Sequence, residues 1–257
     1  MQHLETRYMV GDYLTIGIPV RIDSKERMAN LSAVVKHLSE LQCRIIVLEA
    51  DAYPNINNID CIDNVDYVYM EDTNSLFHRT RYINQLLQMS RTEVVAIWDT
   101  DVLVPYCQII EALQKIRLGA TIAYPYNGRF VMLSEELSKQ TRCRLDFDYL
   151  RNLKMSPFIG RKLCGGAYLV HKQRYLQCGG ENESFTGWGP EDAERLHRIR
   201  ILGHEACHIA LGELFHLYHP RGINSDYRSK DDAKQLREKF VKICCMSSNE
   251  LKKYIQN

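Results

Sequence analysis

Short apolar runs alternating with stretches of helical spacing are the feature that most constrains how this chain can fold. Tyr13-Leu-Thr-Ile-Gly-Ile-Pro-Val20 predicts a buried first strand, Cys43 to Leu48 a second, Asp66 to Met70 a short third and Val94-Val-Ala-Ile-Trp98 a fourth. Between the first two, Met28, Leu31, Val34, Val35, Leu38 and Leu41 recur at the helical period. Asp23 followed by Glu26 predicts a capping box where that helix starts. Leu76, Ile83, Leu86 and Leu87 mark the apolar face of a helix ahead of the fourth strand. Such alternation predicts an α/β fold with a largely parallel sheet. Ligands of an open parallel sheet bind beyond the carboxyl ends of its strands. Asp99-Thr-Asp101 follows the fourth strand directly and so falls where chemistry is expected.

The rest of the chain is less regular. Gly165-Gly166-Ala-Tyr-Leu-Val170 predicts a strand, Gly179-Gly180 a break, and Asn182 to Gly189 a loop of small, polar and aromatic residues. Pro190 suits the first position of a helix running to about Leu202 and closed by Gly203. From Ser229 the tail is helical in pattern, with seven Lys/Arg against four Asp/Glu. A helix packed on the domain and a weak anionic-membrane contact are its two readings, the first preferred. No repeat or clear linker interrupts the 257 residues, and one mixed α/β domain is the simplest division.

Composition narrows the function classes. A formal net charge of +1 gives no basic field of the kind that draws nucleic acid, so none is expected as a partner. Met1 to Gly11 is polar and lacks a signal-peptide core, and no apolar run reaches the roughly 20 residues of a spanning helix. Nine cysteines, an odd number without a CxxC pair, argue for reduced thiols over a disulfide framework, and hence for a cytoplasmic protein.

Carboxylates at i and i+2 past a buried strand suit a hard divalent cation, although a solvated turn is the commoner explanation of such a pair. If strand geometry continues, Asp99 and Asp101 point the same way. Glu191 and Asp192 fall in a first helical turn, where acidic residues are common for electrostatic reasons alone. The preceding Gly187-Trp188-Gly189 places an aromatic between glycines, a platform suited to a sugar ring. His216 and His219, in Leu214-Phe-His-Leu-Tyr-His-Pro220, are each a candidate metal ligand.

The order and spacing of four segments is far more specific than any one of them. These are Phe77-His-Arg-Thr-Arg-Tyr-Ile-Asn84, Asp99-Thr-Asp101, Cys164-Gly-Gly-Ala-Tyr-Leu-Val-His-Lys-Gln-Arg-Tyr-Leu176 and Phe185-Thr-Gly-Trp-Gly-Pro-Glu-Asp192. In this order they resemble the β1,4-galactosyltransferase family. They are also similar to the catalytic domains of chondroitin-type polymerases and, more distantly, to polypeptide N-acetylgalactosaminyltransferases. The resemblance runs from about Thr15 to Pro220.

It implies a GT-A fold, α/β with a Rossmann-like nucleotide-binding half over about 12–105. A donor-sugar and acceptor half over about 106–222 and a helical tail over 223–257 complete the division. Pro19, Val20 and Arg21 match the first-strand turn that holds the nucleotide, and Glu49 is placed to touch uracil or ribose. Arg79 matches an arginine that approaches the diphosphate, and Asp99 is expected to orient ribose or the metal's shell. Asp101 matches the direct metal ligand and His216 the family's histidine ligand, with His219 as the alternative. Mn²⁺ is the expected ion, with Mg²⁺ second. Gly165 and Gly166 are expected to let the donor sugar approach the backbone, and Trp188 to close over it. Asp192 matches the general base of an inverting transfer, beside Glu191 for an acceptor hydroxyl.

The expected reaction moves galactose or N-acetylgalactosamine from a UDP-sugar onto a carbohydrate acceptor, including a lipid-linked one, in surface polysaccharide synthesis. Two departures bear on the acceptor: Ala193 stands where galactosyltransferases carry a third acidic residue, and Thr186 replaces a loop aromatic. The competing reading is a catalytically inactive sugar-nucleotide or glycan-binding protein. It predicts loss of the base or of a ligand, yet Asp101, Asp192 and His216 are all present.

Overall fold

A computed structural model of the chain describes residues 10–11, 13–57, 59, 62–158, 160–222 and 227–256. The expectations for the N-terminal segment fall largely on residues 1–9, and Cys61 of the cysteine set lies outside the described residues too. The first half follows the predicted alternation: β1 (Leu14–Val20), α1 (Lys25–Ser39), β2 (Arg44–Asp51), β3 (Val65–Glu71), α2 (Arg79–Met89) and β4 (Val94–Trp98). β1 pairs in parallel with both β2 and β4, and β2 with β3. All of β1 and β4 is buried, which is why both are apolar but for Thr15, whose hydroxyl accepts from Thr92 Oγ1–H.

The start of α1 differs from the expected capping box by one residue. Ser24, extended at φ −158°, is the N-cap, and its hydroxyl accepts from the Arg27 backbone N–H. Asp23 instead accepts from Arg27 Nε at 2.7 Å, because the long guanidinium reaches back past the cap.

The second half supplies β5 (Val102–Leu103), α3 (Tyr106–Arg117), β6 (Ile122–Tyr124), β7 (Phe130–Met132), α4 (Glu135–Cys143) and α5 (Phe147–Asn152). β8 (Ala167–His171), α6 (Lys172–Gln177), α7 (Glu191–Ile201), β9 (Ala206–His208) and β10 (Leu214–His216) follow, and α8 (Lys230–Cys244) and α9 (Ser248–Gln256) form the tail. A seven-stranded sheet has the order β3-β2-β1-β4-β8-β6-β9, with β8 antiparallel to both neighbours. A small sheet, β5-β10-β7, stands beside it. Chain order reverses between β1 and β4, the place where a parallel sheet opens a crevice.

Among the described residues no helix is long and apolar enough to cross a membrane. The tail is docked: Leu236, Ile243 and Leu251 form a buried cluster with Phe185, beside the loop that leads into α7. Each such side chain contributes roughly 1.5–3 kcal/mol when buried, so the tail is part of the fold.

Candidate active site

β4 ends at Trp98, and the chain turns through Asp99-Thr100-Asp101 into β5. Trp98 Nε1–H donates to Val102 O at 3.0 Å and pins that turn. β5 pairs antiparallel with β10, placing Val102 opposite His216, and Leu217 N–H donates to Asp101 O at 2.7 Å. This register lays His216 beside Asp101. His216 Nε2 lies 3.4 Å from Asp101 Oδ1, and His219 Nε2 lies 3.2 Å from Oδ2. Sequence offered the two histidines as alternatives, and the structure brings both to the one carboxylate.

The ligand atoms of Asp101, His216 and His219 lie within 4.8 Å of one another. Burial opposes charge on Asp101, but His216, His219 and Arg27 outweigh it and hold the carboxyl well below its usual range. Burial lowers His216, so its imidazole is neutral near pH 7 and keeps a lone pair, and the buried His216 Nδ1 has no hydrogen-bond partner. One hard oxygen and two imidazoles fit Mn²⁺ better than Mg²⁺.

Asp99 does not point the way Asp101 does. Strand geometry stops at Trp98, and the turn sends Asp99 to Arg79 at the start of α2, with Arg79 Nη2 at 2.6 Å from its Oδ1. Burial raises Asp99 against the lowering effect of Arg79. Arg79 Nη1 lies 3.6 Å from Asp192 Oδ1, so one guanidinium sits between the two carboxylates.

Asp192 is fixed from below by a buried network that sequence reasoning missed. Arg195, one turn along α7, donates through Nη1 to Asp192 Oδ1 at 2.8 Å and through Nε to Glu181 at 2.7 Å. Tyr168 and Tyr175 donate to the same Glu181 carboxylate, at 2.6 and 2.5 Å. The i,i+3 spacing of Asp192 and Arg195 was a visible signal; the return of Glu181 to that helix was not. Arg27, also missed, contacts Asp101 at 3.3 Å and has no local sequence signal at all.

One cleft of about 570 Å³ collects these groups, a volume in the range of small-molecule sites. Pro19, Val20 and Arg21 line it at the end of β1, and Arg79, Asp99 and Asp101 line its centre. Trp188, Glu191, Asp192, His216 and His219 line it from the other half. Trp188 is 42% exposed and meets Tyr227 edge to face. Burial, and then Asp192 beside it, pushes Glu191 up to about 8. Of six buried side-chain polar atoms without a partner among the described residues, three belong to this lining: Arg79 Nη1, Glu191 Oε2 and His216 Nδ1. Unpaired buried polar atoms are costly, so their concentration here marks a place built to receive a polar ligand.

Four predicted binding residues have other work. Glu49 is fully buried inside β2 and away from the cleft lining. Its carboxylate accepts from Asn55 N–H, Ile56 N–H and Tyr67 OH, and so anchors the segment after the strand. Gly165 and Gly166 are absent from the lining as well. A β-carbon at Gly165 would collide with the Asp192 carboxylate, and one at Gly166 with the Phe130 ring. Their bare backbones make room for the protein's own side chains. Arg21 lines the cleft, but its guanidinium is occupied by Ala50 O, Asn74 O and the Asp72 carboxylate, tying β1 to the ends of β2 and β3.

Gly165→Ala is expected to push the Asp192 carboxylate away from the backbone at residue 165, since a β-carbon there would collide with its Oδ2.

A family model described as the N-terminal domain of galactosyltransferase matches residues 152–220. Human β-1,4-galactosyltransferase 7 is 35% identical over 65 residues, 25% of this chain and 16% of that protein's length, and the mouse protein matches equally. Among solved structures, the catalytic domain of Drosophila β1,4-galactosyltransferase 7 in complex with xylobiose superposes with a TM-score of 0.52 at 16% identity. That superposition covers 96% of this chain and 84% of the other. A mutant of the Drosophila enzyme in complex with manganese, UDP-Gal and xylobiose gives 0.53 at 15% identity, covering 90% and 79%. GalNAc-T7 with UDP, GalNAc and Mn²⁺ gives 0.57 at 12% identity, covering 88% and 47%. The fold is the GT-A fold, and residues 152–220, which carry Trp188, Glu191, Asp192, His216 and His219, resemble the galactosyltransferase family.

Proposed function

We propose that this chain, GT-A in fold and galactosyltransferase-like over residues 152–220, is an inverting, metal-dependent hexosyltransferase. It moves galactose or N-acetylgalactosamine from a UDP-sugar to a carbohydrate acceptor. The carrying observation is that one cleft brings a metal-binding cluster, Asp101, His216 and His219, to face a fixed carboxylate, Asp192, across Arg79.

Asp101, His216 and His219 would hold Mn²⁺, which neutralises charge on a departing diphosphate. Asp192 accepts the proton of the acceptor hydroxyl while that oxygen forms its bond to C1 of the sugar. The C1–phosphate oxygen bond breaks on the opposite face, its electron pair leaves with UDP, and the configuration at C1 inverts. Arg195 and Arg79 both address Oδ1 of Asp192, at 2.8 and 3.6 Å, which leaves Oδ2, beside Gly165, as the proton acceptor. Trp188 supplies an exposed ring on which a sugar can stack.

Glu191 keeps its proton at neutral pH and serves as a hydrogen-bond donor to an acceptor hydroxyl. Its form changes as pH rises through about 8, so acceptor KM should climb above that point and stay flat below it. Glu191→Gln, neutral at every pH, should keep the pH 7 KM and abolish the rise. Glu191→Ala should raise KM roughly tenfold, the worth of one hydrogen bond of about 1.4 kcal/mol. Initial rates over pH 6.5–9.5 separate these outcomes, and a KM rise retained by Glu191→Gln would assign it to another group.

The test of the reading itself is calorimetric titration of UDP with Mn²⁺ and then with EDTA. Metal-dependent binding supports a donor site; no binding in either condition returns the chain to the glycan-binding reading. As part of the same proposal the acceptor is a lipid-linked precursor of surface polysaccharide, handled at the cytoplasmic face of a membrane. Its support is the basic balance of the tail, seven Lys/Arg against four Asp/Glu from Ser229. Salt-sensitive flotation with anionic liposomes would support it, and flotation that ignores salt, or none, would remove the membrane part alone.

A further inference from the structure

Arg27 stands on α1 with its side chain only 14% exposed, turned into the metal-binding cluster. Its contacts fall into two kinds. Nε donates to Asp23 Oδ1 at 2.7 Å, a short charge-assisted bond. The terminal nitrogens reach Asp101 Oδ2, Thr100 Oγ1 and His219 Nδ1, each at 3.3 Å, at the long limit of hydrogen bonding. Arg27 is therefore held firmly by Asp23 and loosely by the cluster.

A guanidinium 3.3 Å from an Asp101 oxygen repels a divalent cation drawn to that same oxygen. His219 is affected as well. Its Nδ1–H donates to Pro220 O at 2.9 Å, so Nε2 is the nitrogen turned to Asp101, and the Arg27 guanidinium stands 3.3 Å from the ring on the same side as an incoming cation.

Of the other arginines that line the cleft, Arg21 is tied to backbone carbonyls and Asp72, and Arg79 holds Asp99 through Nε and Nη2, with only its Nη1 left without a hydrogen-bond partner. Turning about its Asp23 anchor, the planar fork of Arg27 suits the paired oxygens of a diphosphate. Resting on the donor site proposed above, we propose that Arg27 is an internal counter-cation of the Asp101–His216–His219 cluster. Metal and diphosphate together displace it, and that exchange couples metal affinity to nucleotide affinity.

The test is titration of Mn²⁺ into the full chain and into Arg27→Gln, each with and without UDP, thermal melts verifying that both are folded. In the parent chain UDP should tighten Mn²⁺ binding by a factor of roughly 5 to 150. In Arg27→Gln, Mn²⁺ alone should bind about tenfold tighter, and the gain from UDP should shrink toward unity. Unchanged or weaker Mn²⁺ binding by the variant without UDP, or an undiminished gain from UDP, overturns the inference while leaving the donor site standing. A parent chain that binds neither Mn²⁺ nor UDP removes both.

Discussion

Replacing Asp192 by Asn is expected to lower turnover about 10²- to 10⁴-fold, the range for loss of a positioned general base, while UDP and Mn²⁺ bind as before. The substitution is nearly isosteric. An amide oxygen can still accept from Arg195 Nη1, so the buried network with Glu181, Tyr168 and Tyr175 survives. What is lost is the atom able to take a proton. Asp192 is absent from the metal-binding cluster, so the donor site should not register the change. The measurements are kcat with the best donor from a panel of UDP-sugars and calorimetric Kd for UDP. Normal turnover would end the assignment of Asp192 as base, and a parallel loss of UDP binding would mean that Asp192 serves the donor instead.

Asp101→Ala is the second large effect. It should weaken Mn²⁺-dependent UDP binding by more than about 100-fold, because outer partners of a metal site alone cost 10–100-fold and Asp101 is the cluster's only carboxylate. Its removal leaves Arg27, His216 and His219 facing one another with no anion between them, a surrounding that repels a divalent ion. The buried Arg27 charge then lacks one partner but keeps Asp23, so a folded protein with a modestly lower melting temperature is expected. Titrating Mn²⁺ and UDP into the folded variant decides the matter. Retained metal-dependent binding would shift the ligand role to another residue.

Much of the fold is legible in the sequence, for a local reason. A strand buried on both faces is apolar except where a partner satisfies a polar side chain, as β1 and β4 show, and a helix packed on a sheet must repeat its apolar residues near every 3.6 positions. The strands and helices of the first half accordingly fall within a few residues of their predicted limits. β5, β6, β7, β9 and β10 are two or three residues long, too short to show any period. α3 does carry the period in Ile109, Leu113 and Ile116, and the sequence reading passed over it.

The site was legible as a set of residue types and illegible as a set of partners. Asp101, His216, Asp192 and Arg79 were named from motif order and all line one cleft. Glu49, Gly165 and Gly166 were named by the same logic, yet they serve the protein's own packing, because a motif records chemistry without showing which neighbour uses it. Arg27, Arg195 and Glu181 were not named. Each acts through a contact made by the fold, and an isolated charged residue on a helix looks like any surface charge.

By itself, then, the sequence determined an α/β sheet with its acidic turn at the carboxyl edge, since periodicity and burial are imposed residue by residue along the chain. Tertiary structure alone decided that both histidines reach Asp101, that Asp99 turns to Arg79 instead, and that Glu181 returns to hold Arg195 behind Asp192. The first two outcomes depend on the register between β5 and β10 and on a turn between β4 and β5. Side-chain partnership across such short strands is set by how distant segments pack, and no local pattern of residues encodes it.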